Sequence, residues 1–255
     1  FQGKSHEPYR HEWVSLRIFQ AFVNNKDDQG WLEELSNIDN QAEACMLRNL
    51  ESLKDGIAKK PANPFNNLPP VAKVVAWLIV SHHKLPQYPK NEDNPPTFEN
   101  MDKWLNESFE PCWNSPQCLQ DDWQQSTIIK NWIFPSGTPL KSGHWQTQAS
   151  IVAKQVLRCE RMFYDDWFNQ HFTAHLSRLS LMLSDHYYSS KKATTLKWQD
   201  RNYHAYANTD RDEGGKKYLK QKLDEHNIAV GVNAYMITKA LPELKGELPP
   251  LKGNN

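Results

Sequence analysis

Three short clusters hold the side chains of this sequence best suited to chemistry: Tyr9-Arg10-His11-Glu12, Ser81-His82-His83-Lys84 and Ser184-Asp185-His186. Each falls at or near one end of a segment with helical periodicity. Imidazoles and a carboxylate brought together from helix ends make a nitrogen and oxygen ligand set for a divalent metal. Adjacent helical residues point about 100° apart. His82 and His83 are therefore suited either to two neighbouring metals or to one metal and one phosphate. Plainer roles stay open for each cluster. A histidine at a helix start serves equally as a cap or surface group, and a histidine pair at a helix C-terminus simply suits the dipole. Asp185 is less easily explained that way, because a carboxylate near a helix C-terminus faces the negative end of the dipole and wants a cation. His171 and His175 share a helix face at i, i+4, but Phe172, Leu176 and Leu179 make that face as fit for packing as for a metal.

The elements that must position these residues read as helices. Trp13, Leu16, Phe19, Gln20 and Val23 form a stripe at spacings of three and four. Trp31–Ile38 and Gln41–Ile57 read as two more helices. Prolines 61, 64, 69 and 70 then break the chain before Val71–His83, which is apolar nearly all round and is expected to be buried. Leu85–Phe98 reads as a proline-rich surface loop. Met101–Phe109 and Gln117–Ile133 follow as helices. His144–Ser189 contains neither Pro nor Gly and suits one or two long helices with a bend around Arg158–Met162. Lys191–Gly215 is polar and reads as a mobile excursion, with room for a short β-pair near Lys191–Tyr206. Lys217–Leu241 is the last predicted helix, stopped by Pro242. The fold class expected is all-α, a single globular helical domain.

Composition narrows the function classes. Thirty basic residues balance thirty acidic ones, which gives no support to binding by bulk positive charge. The hydrophobic fraction is 38%, yet ten Trp, ten Phe and nine Tyr supply enough apolar area for a core. The longest apolar run, Val71–Val80, is about half the ~20 residues that a membrane span needs, so no membrane partner is expected. Four scattered cysteines read as free thiols of a cytoplasmic protein. GxxxxGK[ST], GxGxxG, GxSxG and HExxH motifs do not occur. Phe1-Gln2-Gly3 reads as the remnant of a cleavable tag, residues 4–244 as the domain and residues 245–255 as the start of a linker.

The segments YRHEWVSLRIFQAFV, LIVSHHKLPQYP and LSDHYYSS, in that order, resemble the helical HD-type nuclease region of the CRISPR-associated helicase–nuclease of type I-F systems. YANTD and LKQKLDEHNIAVGVNAYMITKALPEL are similar to the stretch leading from that nuclease toward the helicase. The resemblance touches segments from Pro8 to Leu244. It implies an HD-phosphohydrolase type of fold and a metal-dependent phosphodiesterase that degrades single-stranded DNA. The partners it implies are an RNA-guided surveillance complex and a helicase region of the same polypeptide, with ATP used only there. It further implies His11, His82, His83 and Asp185 as ligands to a divalent metal (Mn, Mg, Ni, Co or Fe). Ser189 matches the Ser four residues beyond that Asp. The His-Asp doublet that defines the superfamily does not occur in these 255 residues. It is expected ahead of Lys4, which leaves the domain N-terminally incomplete and its metal centre short of ligands.

Lys84 is placed to meet a phosphate. Lys191, Lys192, Lys197 and Arg201, interleaved with Tyr187, Tyr188, Trp198 and Tyr203, suit a strand-binding wall. Two other readings remain: another HD-type nucleotide phosphohydrolase, or a non-catalytic module that docks the surveillance complex or an inhibitor protein.

Overall fold

The apolar stripe that begins at Trp13 forms α1 (His11–Val23), which buries Trp13, Val14, Leu16, Ala21, Phe22 and Val23. It stops at Asn24, whose left-handed backbone (φ 44°) an asparagine tolerates. The computed structural model describes residues 8–85, 101–113, 125–159, 161–164, 170–191 and 196–243. Helix α2 (Asp28–Ser36) starts on Asp27, whose side chain accepts the Gly30 N–H. Helix α3 (Ala42–Leu50) packs on α1, with the Asn49 amide donating to the Ala21 carbonyl at 3.0 Å.

The helix expected over Gln41–Ile57 ends early. A 3-10 turn (Glu51–Leu53) follows Leu50, and Lys54 is extended. The reason is Asp55, which must leave the helix to enter the core. Gly56 then turns with φ +74°, where a Cβ would come within 2.7 Å of the Tyr9 hydroxyl.

Helix α4 (Pro70–Ser81) carries Pro at its first position and buries Val71, Ala72, Ala76, Trp77 and Val80. Its N-cap is Pro69, which offers no side-chain bond. Asp28 of α2 supplies the cap instead. Its carboxylate accepts Val71 N–H at 2.8 Å, Ala72 N–H at 2.9 Å and the Trp31 indole N–H at 2.9 Å. Because Asp28 follows α1 closely, α1 and α4 pack antiparallel, and the start of α1 meets the end of α4.

Further along come α5 (Met101–Ser108), α6 (Gln125–Lys130), α7 (Gly143–Leu157), α8 (Arg161–Tyr164) and α9 (His171–Ser190). The long Pro-free and Gly-free stretch is thus interrupted where a bend was expected, after Leu157. The predicted helix Gln117–Ile133 is helical over Gln125–Lys130; residues 117–124 lie outside the described set, as does nearly all of the predicted loop Leu85–Phe98. Helix α2 packs on α7, where the Ser150 hydroxyl donates to the Ser36 carbonyl at 2.6 Å.

The last quarter corrects the sequence reading. Two antiparallel strands, β1 (Tyr206–Arg211) and β2 (Lys217–Lys222), form a hairpin. Asp212 and Gly215 close its turn, with Gly215 at φ +79°. The predicted helix from Lys217 therefore begins only at Leu223, as α10 (Leu223–Ala240). Of the excursion expected over Lys191–Gly215, the described residues from Leu196 on are built in, since they hold a 3-10 turn (Leu196–Trp198), the buried Tyr203 and β1. The structure is mostly helical with this one small sheet among its described residues. Helices α9 and α10 pack together around Tyr188, Ala229 and Val230.

One buried ion pair anchors α1. Arg17 meets Asp55 through two bonds of 2.7 and 2.8 Å, and the Trp13 indole donates to the same carboxylate at 2.7 Å. The Trp132 indole donates to the Asp55 carbonyl at 3.1 Å. Asp55→Ala would leave a buried guanidinium uncompensated, and is expected to cost about 3–5 kcal/mol. A lowered denaturant midpoint with an unchanged slope in chemical unfolding checks this.

Candidate metal centre

The antiparallel packing of α1 and α4 brings three imidazoles together. His11 opens α1, His82 caps the end of α4 and His83 follows it. His11 Nε2 lies 3.0 Å from His83 Nε2. One ligand atom from each of His11, His82 and His83 lies within 4.8 Å of the others. Neighbouring groups set the ring tautomers. His82 Nδ1 is 2.7 Å from the Ile79 carbonyl, which can only accept, so Nδ1 carries the proton and Nε2 keeps a lone pair. His11 Nδ1 lies 3.3 Å from the buried Glu12 carboxylate, an electrostatic contact that favours placing a proton on Nδ1. Two imidazole Nε2 atoms 3.0 Å apart need a proton or a cation between them. An octahedral shell with bonds of about 2.1 Å spaces adjacent donors about 3.0 Å apart. The donor set therefore fits a divalent metal in its chemistry, and the His11–His83 pair has the spacing of two adjacent ligands.

Electrostatics favour the neutral ligand form. Burial pushes His11 down to about 4; Glu12 pulls it up, while His82, His83 and Arg10 push it further down. Burial and then His82 lower His83, against the pull of Glu12 and Asp185. Both are unprotonated at neutral pH, as a metal ligand must be.

Helix α9 brings the fourth predicted ligand alongside. The Arg178 guanidinium donates to the Ser81 carbonyl at 2.8 Å, fixing α9 against the end of α4. Asp185, two turns further on, is close enough for its charge to act on His83. Its Oδ1 faces His226 Nε2 at 2.9 Å. Burial would raise the Asp185 carboxyl, but the bond and charge of His226, with His83 and His82, hold it below the usual range. The structure thus gathers His11, His82 and His83 into one cluster; Asp185 is not among the ligand atoms that lie within 4.8 Å of one another, although its charge acts on His83, and it is held by a residue the sequence reading missed. His226 lies near the start of α10, inside the stretch similar to the one leading toward the helicase, and the sequence reading gave it no role. The available signal was Asp185 itself, whose place near a helix C-terminus called for a cation.

The residues predicted to meet nucleic acid are more dispersed. Lys84 is exposed directly after His83. The Ser189 hydroxyl is 3.4 Å from the Asn208 amide, and its carbonyl accepts from Lys220 at 2.7 Å, so it joins α9 to the hairpin. Lys191 is exposed and sits 4.2 Å over the Tyr187 ring. Lys192 lies outside the described residues. Arg201 lines a cleft with His144, Thr147 and Lys197 at the start of α7. The aromatic half of the predicted wall needs correcting. Tyr188 and Tyr203 are buried, and Trp198 packs against the Tyr188 cluster, so these rings serve the core. Tyr187 alone of the four is exposed. His175 packs edge-on to Trp77, which favours its packing role.

The fold and site together define the class as a mostly helical domain with three imidazoles gathered at a helix seam. Comparison with known proteins is more particular. The chain is 42% identical over 254 residues to the "CRISPR-associated nuclease/helicase Cas3 subtype I-F/YPEST" of Pectobacterium atrosepticum, a match covering 98% of this chain and 22% of that protein. It is 35% identical to the protein of the same name from Pseudomonas aeruginosa, covering 96% of this chain and 22% of the relative. The chain is thus a homologue of one region of type I-F Cas3 nuclease/helicases, and spans about a fifth of their length. No protein-family model matches it. No described helix is long and apolar enough to cross a membrane.

The depressed His11 has a consequence for stability. Unfolded, it takes a proton as pH falls through about 6.5; folded, it resists until about 4. Protons therefore favour the unfolded chain over that window, and stability falls as pH is lowered from 7 to 5. In the metal-free protein, the melting temperature of His11→Gln is expected to drop less than that of the wild type between pH 7 and pH 5, as followed by circular dichroism.

Proposed function

We propose that this chain is the part of a CRISPR-interference nuclease that holds the catalytic divalent metal, and that the complete enzyme degrades single-stranded DNA. The observation that carries this reading is the convergence of His11, His82 and His83 within 4.8 Å. The names of its relatives support the nuclease class. A divalent ion bound there would supply Lewis-acid activation of the scissile phosphate and of the attacking water. His11, His82 and His83 would bind it through nitrogen and Asp185 through oxygen. Glu12 and the Ile79 carbonyl orient the first two rings. Lys84, exposed beside the cluster, would meet the phosphate of the strand, with Ser189, Lys191, Lys192 and Arg201 further along its path. Water adds to phosphorus as the P–O ester bond breaks, and the leaving oxygen takes a proton.

In this proposal the remaining ligands come from a His-Asp doublet, as the family resemblance implies, and these 255 residues do not contain one. The four side chains then form part of an HD-type shell, and the chain alone holds metal more weakly than a complete site. The helicase region of the same polypeptide and an RNA-guided surveillance complex deliver the strand in the cytoplasm.

Elemental analysis after Mn²⁺ loading, with cleavage of single-stranded DNA in Mn²⁺, Mg²⁺ or Ni²⁺, tests the reading. His82→Ala is expected to weaken Mn²⁺ binding by more than the ~10–100-fold typical of an outer-shell change. Neither retained metal nor cleavage in the wild type would favour a docking module instead.

A further inference from the structure

His226 is gripped on both sides. Its Nε2 faces Asp185 Oδ1 at 2.9 Å, and since an ionised carboxylate only accepts, Nε2 carries a proton. Its Nδ1 lies 3.2 Å from Gln221 Oε1 and 3.4 Å from Asn208 Nδ2. The orientation of Gln221 is fixed independently, because its Nε2 donates to the Tyr188 carbonyl at 2.8 Å and its Oε1 accepts from Asn208 at 2.7 Å. Gln221 is fully buried, so this clamp is part of the packed structure. Asn208 stands on β1 and Gln221 on β2. With its proton on Nε2, the ring can accept at Nδ1 only from the Asn208 amide, and Gln221 holds that amide by accepting from it, so both strands help to place one imidazole ring whose other edge faces the Asp185 carboxylate. The same Asn208 also reaches Ser189, one turn beyond Asp185 on α9.

We propose that His226 is a positioning residue for Asp185: the hairpin fixes the ring, and the ring fixes Oδ1 and with it the orientation of the carboxylate that would meet a divalent cation held by the histidines. The inference rests on the metal-binding reading above and adds a named residue and a structural job for the hairpin. A ligating carboxylate that loses its outer hydrogen bond keeps its charge but loses its orientation, and such losses typically weaken metal binding ~10–100-fold. His226→Gln keeps an N–H donor within reach of the carboxylate. His226→Ala keeps none.

Mn²⁺ titrated into the metal-free chain, followed by the electron paramagnetic resonance signal of the free ion, separates the cases. His226→Ala is expected to weaken binding ~10–100-fold, His226→Gln to restore most of it, and His226→Ala to add nothing in an Asp185→Asn background. Wild-type affinity in His226→Ala, with binding lost in His82→Ala, overturns the positioning role and leaves the metal centre standing. A loss in His226→Gln as large as in His226→Ala also overturns it, because the ring would then be a ligand. Equal Mn²⁺ affinity in wild type and His82→Ala overturns the metal centre and this inference with it. If the alanine variant loses its helical signal, the ring ¹⁵N spectrum of the metal-free chain decides. A proton on His226 Nε2 that Asp185→Asn redistributes is expected, and an unchanged tautomer overturns the proposal.

Discussion

The amides at the start of a buried helix must find acceptors, and in α4 the nearest residues are prolines, whose side chains offer none. Asp28 resolves this from another helix. One buried carboxylate takes two amides of α4 and an indole of its own helix. That arrangement fixes where α4 begins relative to α1. Helices are stiff over twelve residues, so it also fixes where α4 ends. The histidines at that far end meet His11 because the near end is held. The Arg17–Asp55 pair plays the matching part for α1, anchoring its middle to the turn after α3. The cluster is thus set by polar contacts a helix length away from it.

The histidine seam also shows how a chain with no net charge can hold a concentrated site. Three imidazoles in one place would repel as cations. Burial and mutual proximity keep His11 and His83 neutral, while negative charge on Glu12 and Asp185 pulls the other way. The balance of thirty basic and thirty acidic residues says nothing of this, since the effect is local.

Much of the fold was legible because helix period and proline punctuation are local signals. The stripes of α1 and α4, and the break after Leu157, could be read directly. So could the His11, His82 and His83 clusters, whose meeting needed only helix ends to coincide. The hairpin was not, because YANTDR and KYLKQK bury almost nothing but Gln221, and strands without an apolar face leave no alternation to read. The Gly214-Gly215 turn was visible but was taken as the end of a loop. The early end of α3 was hidden for a different reason. Asp55 leaves the helix to meet Arg17, a partner 38 residues away. His226 and the burial of Tyr188 and Tyr203 likewise depend on contacts between distant segments.

A sheet of two strands is all edge. Every outward amide and carbonyl of β1 and β2 is an invitation to a stray strand from another molecule, and Tyr218 and Leu219 lie exposed on one of them. The hairpin carries its own deterrents. The exposed Lys217 charges the start of the returning strand, and the register slips between Tyr206 and Thr209, bending the partner away from a flat template. A segment this polar gives up the apolar burial that would stabilise it alone, and in return offers little apolar surface for a stray strand to cover.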